Sequence, residues 1–210
     1  MDDQPLTRAQ RRAARIVAEA LIDDGFCLAG GAALVASGLS TRPTRDLDLF
    51  TDHDVDMPAV AARATTALEA EGFAVAIDRQ FPTFVALRVT AGRRGHVLVG
   101  LGRDHIEWPP VSTSLGRTLS PRELAANKVL ALFGRVQPRD LADVATLAAR
   151  CDLDDVFADA AVKDPGFSTR VLAEMIRLVI ARPDPEWPPG VDPDELRRFG
   201  RQLADSLERD

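Results

Sequence analysis

The chain has 210 residues, of which 46% are hydrophobic and 28% charged, as expected for a globular protein with a full core. Its net charge of −6 excludes the overall positive field of a general nucleic-acid-binding protein, so any nucleic-acid partner would have to bind a local patch. No apolar run has the length of a membrane span, and the polar N-terminus does not resemble a secretory signal, so we expect a cytoplasmic protein.

An amphipathic helix is predicted from Pro5 to Asp24, and Gly25 ends it. Four arginines recur along this helix at helical spacing and form one stripe: Arg8, Arg11, Arg12 and Arg15. Two interpretations stay open, a solvated helix face and a weak binding surface for RNA phosphates.

The next stretch, residues 26–50, is the most informative part of the sequence. A short buried strand leads to Gly30 and Gly31, and an apolar helix and a polar loop connect them to a second strand that carries Asp46 and Asp48. Residues two apart on a strand share a face, roughly 7 Å apart, so the two carboxylates converge. At 4 Å they would repel by about 4 kcal/mol, which favours a bound divalent cation, Mg²⁺ with Mn²⁺ as the alternative.

The glycine pair has a complementary interpretation. A Gly-Gly turn into a helix lets backbone N–H groups approach a phosphate. The alternative is that the glycines form a simple turn and that Asp46 and Asp48 are solvated residues at a strand end.

A helix over residues 57–71 and strands over 73–77, 84–90 and 96–101 follow, with a hairpin loop at 91–95. This order predicts an α/β (α+β) fold, a mixed sheet with helices packed on it. The proline-containing stretch 107–114 is the best boundary, which gives a core at 1–110 and a helical region at 111–210.

The helical region contains a second group of charged residues. Lys128 lies within a helix that begins at Ser120 with a capping box, and Asp140 and Asp143 lie at the start of the next helix. A pair of antiparallel helices joined by salt bridges would account for them without any catalytic role.

Together these motifs resemble a known family. Gly30-Gly31 followed by Arg42-x-Thr44-x-Asp46-x-Asp48 is similar to motif I of the nucleotidyltransferase superfamily, and more narrowly to that of the AbiEii-type nucleotidyltransferase toxins. These include mycobacterial toxins that modify tRNA. The order Lys128, Arg139-Asp140, Asp143 resembles the family's later motif.

The resemblance implies a polymerase-β-like nucleotidyltransferase core whose cleft is completed by the C-terminal helical region. It implies Mg²⁺-dependent transfer of a nucleoside monophosphate from an NTP to a tRNA 3′ end, by a toxin that a cognate antitoxin protein controls. The implied metal ligands are Asp46 and Asp48. The other implied site residues are catalytic (Lys128, Asp140, Asp143) or nucleotide-binding (Gly30, Gly31, Arg42, Thr44, Lys128).

One departure from the superfamily's pattern leaves alternatives open. Polymerase-type relatives add a third carboxylate from a neighbouring strand, and Gly100 occupies that position here, with Asp104 four residues on. A one-metal enzyme, a small-molecule nucleotidyltransferase of the antibiotic-modifying type and an inactive binding module all remain compatible with the sequence. Thr44 shares the face of Asp46, so its phosphorylation is predicted to switch the site off.

Overall fold

The structure is a computed structural model that describes residues 5–92 and 96–208. The chain divides into two compact units, Met1–Pro121 and Arg122–Asp210. The division falls after Pro121 and not after residue 110, because two short strands beyond residue 110 still belong to the sheet of the first unit. Residues 93–95 of the predicted hairpin loop lie outside the described residues.

The first unit is a seven-stranded mixed sheet with helices, which confirms the predicted fold class. The sheet order is β3-β4-β5-β2-β1-β7-β6, in which β2 pairs with β5 and β1 with β7 in parallel and the other neighbours are antiparallel. The elements are α1 (Arg8–Ala20), β1 (Cys27–Ala29), α2 (Gly30–Ala36), β2 (Asp46–Thr51), α3 (Met57–Ala70), β3 (Ala74–Phe81), β4 (Phe84–Thr90), β5 (His96–Arg103), β6 (Val111–Thr113) and β7 (Gly116–Thr118).

The two faces of β2 differ in polarity, as the alternation in its sequence predicts. Leu47 and Leu49 are fully buried, and the helices α1 and α3 pack on each other and on the sheet through apolar residues. Asp46, Asp48 and Phe50 alternate with them and are only half-buried. We call the side of the sheet that carries these three residues the accessible face.

The start of α1 is fixed by a capping box. The backbone N–H of Gln10 donates to Thr7 Oγ1 at 3.2 Å, and the backbone N–H of Thr7 donates to Gln10 Oε1 at 2.8 Å. The helix therefore begins at Arg8, inside the predicted range of residues 5–24.

The second unit is helical, as the sequence predicts. Its elements are α4 (Pro121–Arg135), α5 (Pro138–Ala148), α6 (Leu153–Lys163), α7 (Thr169–Ile180), a short 3-10 helix (Asp184–Glu186) and α8 (Pro193–Leu207). Gly200 lets α8 approach α7 closely, because a Cβ at this position would lie 2.7 Å from Ile180 Cγ2. Within residues 5–92 and 96–208, no helix combines the length and apolar character needed to cross a membrane.

Candidate active site

Asp46 and Asp48 lie on β2, the central strand of the sheet. In the parallel register of β2 and β5, Asp46 is opposite Leu98 and Asp48 is opposite Gly100. Both aspartate side chains belong to the accessible face and are half-buried. The structure thus brings these two predicted residues together, on one face and two positions apart.

The carboxylate of Asp48 is enclosed by two glycines. A Cβ at Gly30 would lie 2.4 Å from Asp48 Oδ2, and a Cβ at Gly100 would lie 3.0 Å from Asp48 Oδ1. Gly30 also has a φ of 61°, a left-handed conformation that disfavours other residues. Position 30 therefore needs glycine for Asp48 to keep its place, whereas a side chain at position 100 would displace its neighbours by a few tenths of an ångström.

Position 100, where the superfamily's pattern predicts a third carboxylate, leaves little room beside Asp48 and Phe84. A side chain at position 100 would meet Asp48 Oδ1 and, at 3.2 Å, the ring of Phe84. Asp104 is exposed, and its Oδ1 accepts a hydrogen bond from the backbone N–H of His105 at 2.9 Å. It follows Gly100 by four residues, about 13 Å along an extended chain, so it does not complete the aspartate pair.

The two carboxylates nevertheless suit a hard divalent cation. Mg²⁺ is commonly held by one or two carboxylates, with substrate phosphates and water as its other ligands. Among the described residues there is no cluster of three or more His, Cys, Asp or Glu residues arranged for a metal. A cation bound by Asp46 and Asp48 would accordingly take its other oxygen ligands from a substrate and from water.

Loop 40–45, which precedes β2, is held by the N-terminal segment. The backbone carbonyl of Thr44 accepts a hydrogen bond from Gln10 Nε2 at 2.7 Å, and its backbone N–H donates to the Pro5 carbonyl at 3.3 Å. Thr44 Oγ1 donates to the Asp46 carbonyl at 3.3 Å and would lie 3.0 Å from a Cβ at Gly31. Thr44 therefore packs between the glycine pair and the first aspartate.

Arg42 and Gln10 lie beside Thr44 in this region. Arg42 is half-buried in the same loop, and its backbone N–H donates to Ser40 Oγ at 3.1 Å. Gln10 is buried and uses both ends of its amide, one for the capping box and one for Thr44. The sequence reasoning missed Gln10, although the Thr7-x-x-Gln10 spacing was a visible signal for the cap.

Two arginines of the α1 stripe make structural contacts. Arg12 Nη2 donates to the Glu71 carboxylate at 2.6 Å, and its guanidinium lies 5.3 Å from the centre of the Phe73 ring. Arg15 Nε donates to the Ser114 carbonyl at 3.0 Å. RNA binding by Arg8, Arg11, Arg12 and Arg15 stays a prediction, and the contacts of Arg12 and Arg15 also explain the stripe as packing.

In the second unit, α4 and α5 are joined by two ion pairs. Lys128 Nζ lies 2.7 Å from Asp143 Oδ2, and Arg135 Nη2 donates to Asp140 Oδ1 at 2.8 Å. Both aspartates are buried, and Asp140 Oδ2 has no hydrogen-bond partner among the described residues. The salt-bridged helix pair therefore exists, and a catalytic role for Lys128, Asp140 and Asp143 stays a prediction.

The chain matches one protein family over most of its length. The model of the family described as "Nucleotidyl transferase AbiEii toxin, Type IV TA system" matches residues 14–209. The chain belongs to this family. The predicted membership is confirmed, and the protein is a nucleotidyltransferase of the toxin type that uses an NTP.

Solved structures show the same fold at low sequence identity. The nucleotidyltransferase toxin MenT4 from Mycobacterium tuberculosis matches with a TM-score of 0.65 and 16% identity, over 94% of this chain and 82% of that one. JHP933 from Helicobacter pylori matches with a TM-score of 0.61 and 18% identity, over 97% and 94% of the two chains. None of the curated proteins matches.

Proposed function

We propose that this nucleotidyltransferase transfers a nucleoside monophosphate from an NTP to the 3′ end of a tRNA, with Mg²⁺ held by Asp46 and Asp48. The observation that carries the proposal is the position of the Asp48 carboxylate. This carboxylate lies on the accessible face, as Asp46 does, and Gly30 and Gly100 border its two oxygens. Paired carboxylates beside a glycine turn are what a reaction on a nucleoside triphosphate needs.

The proposed reaction forms one bond and breaks one. A ribose hydroxyl oxygen at the RNA end bonds to the α-phosphorus of the NTP, and the bond between that phosphorus and the α–β bridging oxygen breaks. Pyrophosphate leaves with the electron pair of the broken bond, and the hydroxyl proton passes to solvent. A divalent cation on Asp46 and Asp48 would offset the negative charge of the phosphates during this exchange.

The remaining predicted residues would bind the phosphates. The backbone N–H groups of Gly30 and Gly31 start α2, where Ala29 at the N-cap position offers no side-chain oxygen that would compete with a phosphate. Arg42 and Lys128 would offset the charge of the transferred group and of the leaving pyrophosphate, since arginine and lysine are the usual phosphate partners. Thr44 would keep its loop against Gly31.

The family's description as a type IV toxin–antitoxin component supports a second part of the proposal. We infer that a cognate antitoxin protein controls the enzyme, and that modified tRNA is the cause of toxicity. Co-expression of the wild type with the neighbouring antitoxin should restore growth, and an Asp46→Asn variant should need no antitoxin.

The experiment that tests the transfer uses purified protein, Mg²⁺ or Mn²⁺, each labelled NTP, and total tRNA present or omitted. We expect label on RNA from the wild type and none from Asp46→Asn, which keeps the shape of the side chain and removes its charge. Label on a small hydroxylated acceptor without tRNA would favour an antibiotic-type enzyme. No label with any NTP and either metal would favour an inactive binding module.

A further inference from the structure

Three phenylalanines and one glycine form a row across four strands of the sheet. In the register, Phe81 of β3 is opposite Phe84 of β4, Phe84 is opposite Gly102 of β5, and Gly102 is opposite Phe50 of β2. Partners in a register point to the same side of a sheet, so the row belongs to the accessible face. We call Phe81, Phe84 and Phe50 the aromatic row.

The ring of Phe84 is next to the carboxylate of Asp48. A Cβ at Gly100 would lie 3.0 Å from Asp48 Oδ1, 3.2 Å from Phe84 Cε2 and 3.3 Å from Phe84 Cζ, so carboxylate and ring border one point. At Gly102, the corresponding point lies 3.0 Å from Phe50 Cε1 and 3.3 Å from Phe84 Cδ2. The glycines of β5 thus let the edges of both rings lie close to the sheet, and the ring of Phe84 lies beside the Asp48 carboxylate.

The two oxygens of Asp48 distinguish two sides of the site. Oδ2 borders Gly30, on the side proposed for the phosphates, and Oδ1 borders Gly100 and Phe84. In phosphoryl transfer the attacking and leaving oxygens are roughly in line, on opposite sides of the phosphorus. If pyrophosphate leaves on the side of Gly30, the acceptor hydroxyl enters on the side of Phe84.

We propose that the aromatic row binds the single-stranded end of the RNA acceptor, with the terminal nucleoside on Phe84 and the preceding base on Phe81. Nucleobases stack on aromatic side chains without regard to sequence, which suits an unpaired RNA end. The proposal rests on the proposed function for the identity of the acceptor, and it assigns a binding site to that acceptor.

The exposure of the row supports this role over simple packing. Phe81 is 56% exposed and Phe84 is half-buried, so much of the aromatic surface is available to a ligand. Ile77, on the same strand, is 58% exposed, but its register partner Leu87 belongs to the opposite, buried side of the sheet. It lines a groove with Pro58 and Ala61 of α3 and serves as a control for lost apolar surface.

The test measures the binding of a short single-stranded RNA with a 5′ fluorophore to the full chain by fluorescence anisotropy, without NTP. We expect Phe84→Leu to raise Kd about tenfold, the range of one base–aromatic stack. Phe81→Leu should also weaken binding, Phe84→Tyr should bind as the wild type does, and Ile77→Ala should have no effect.

The same variants are then assayed for transfer, so that the two proposals fail separately. A rise in KM for tRNA with an unchanged KM for the NTP supports RNA binding by the aromatic row. If the wild type binds RNA through Phe84 and Phe81 but transfers no nucleotide, the proposed RNA-binding site is supported and the proposed function fails. If the RNA does not bind the wild type, or binds both leucine variants as tightly as the wild type, the proposed binding site is overturned.

Discussion

The two ends of α2 offer a matched pair of substitutions. Gly30 starts this helix and Gly38 follows it, with φ of 61° and 69°, so alanine at either position must adopt a left-handed backbone. That conformation costs a residue with a Cβ about 1–2 kcal/mol. A Cβ at Gly38 meets nothing within 4 Å, whereas a Cβ at Gly30 would lie 2.4 Å from Asp48 Oδ2.

We therefore expect Gly30→Ala and Gly38→Ala to lose similar folding stability and to differ in activity. In Gly30→Ala the Asp48 carboxylate must retreat by about 1 Å to reach van der Waals distance. A misplacement of that size in a catalytic group costs about 100-fold in rate. Gly38→Ala should transfer nucleotide at the wild-type rate.

Urea unfolding followed by circular dichroism measures the loss of stability of each variant, and transfer of an α-labelled nucleotide to tRNA measures activity. Circular dichroism at the assay temperature checks that both proteins are folded. If Gly30→Ala and Gly38→Ala are equally active, the close approach of Gly30 to Asp48 has no catalytic meaning and the reasoning fails.

Four further predictions concern Thr44, Lys128 and Cys27. Thr44→Asp should lower the transfer rate roughly thirtyfold, because a charge two residues from Asp46, about 7 Å away, repels that carboxylate by about 2 kcal/mol at an effective dielectric of 20. Thr44→Val, of similar shape, is the control. If Thr44→Asp is as active as Thr44→Val, the switch is refuted. Lys128→Met should lower the free energy of unfolding by about 3–5 kcal/mol, because it removes the cation 2.7 Å from the buried carboxylate of Asp143. Lys128→Met/Asp143→Leu should recover much of that stability without recovering transfer, and a fully active double variant would make the pair purely structural. Burial raises the pKa of the Cys27 thiol, so Cys27 should resist a thiol reagent in the folded protein at pH 8. Cys151 is half-buried and should react. Equal labelling of the two cysteines would contradict this prediction. The pKa of Cys27 is raised only in the folded state, so the thiol of the unfolded chain ionises first as the pH rises. The free energy of unfolding should therefore fall at alkaline pH. Cys27→Ala should reduce that fall.

Local patterns were sufficient to predict the elements that carry the site. The alternation around Asp46 and Asp48 predicted β2 and its two faces, because the period of a strand is two. Capping signals predicted the start of α4 near Ser120, and the structure begins that helix at Pro121.

Long-range pairing was beyond the sequence. β7 pairs with β1 at a single register position, Leu28 with Thr118. Because β7 is only three residues long, its sequence contains too little pattern to predict this pairing. The aromatic row also depends on four strands that are distant in sequence, and only the register brings Phe81, Phe84 and Phe50 together. The capping role of Gln10 could be predicted from the sequence, but its contact with Thr44 could not, because the two residues are 34 positions apart.

The central claim is that Asp46 and Asp48 support transfer of a nucleotide to RNA. The most direct test supplies the NTP labelled at either its α- or its γ-phosphate and follows the label on tRNA. The α-label should join the RNA, the γ-label should leave in pyrophosphate, and Asp48→Asn should abolish both. Label from the γ-phosphate on RNA, or transfer by Asp48→Asn at the wild-type rate, would contradict the account.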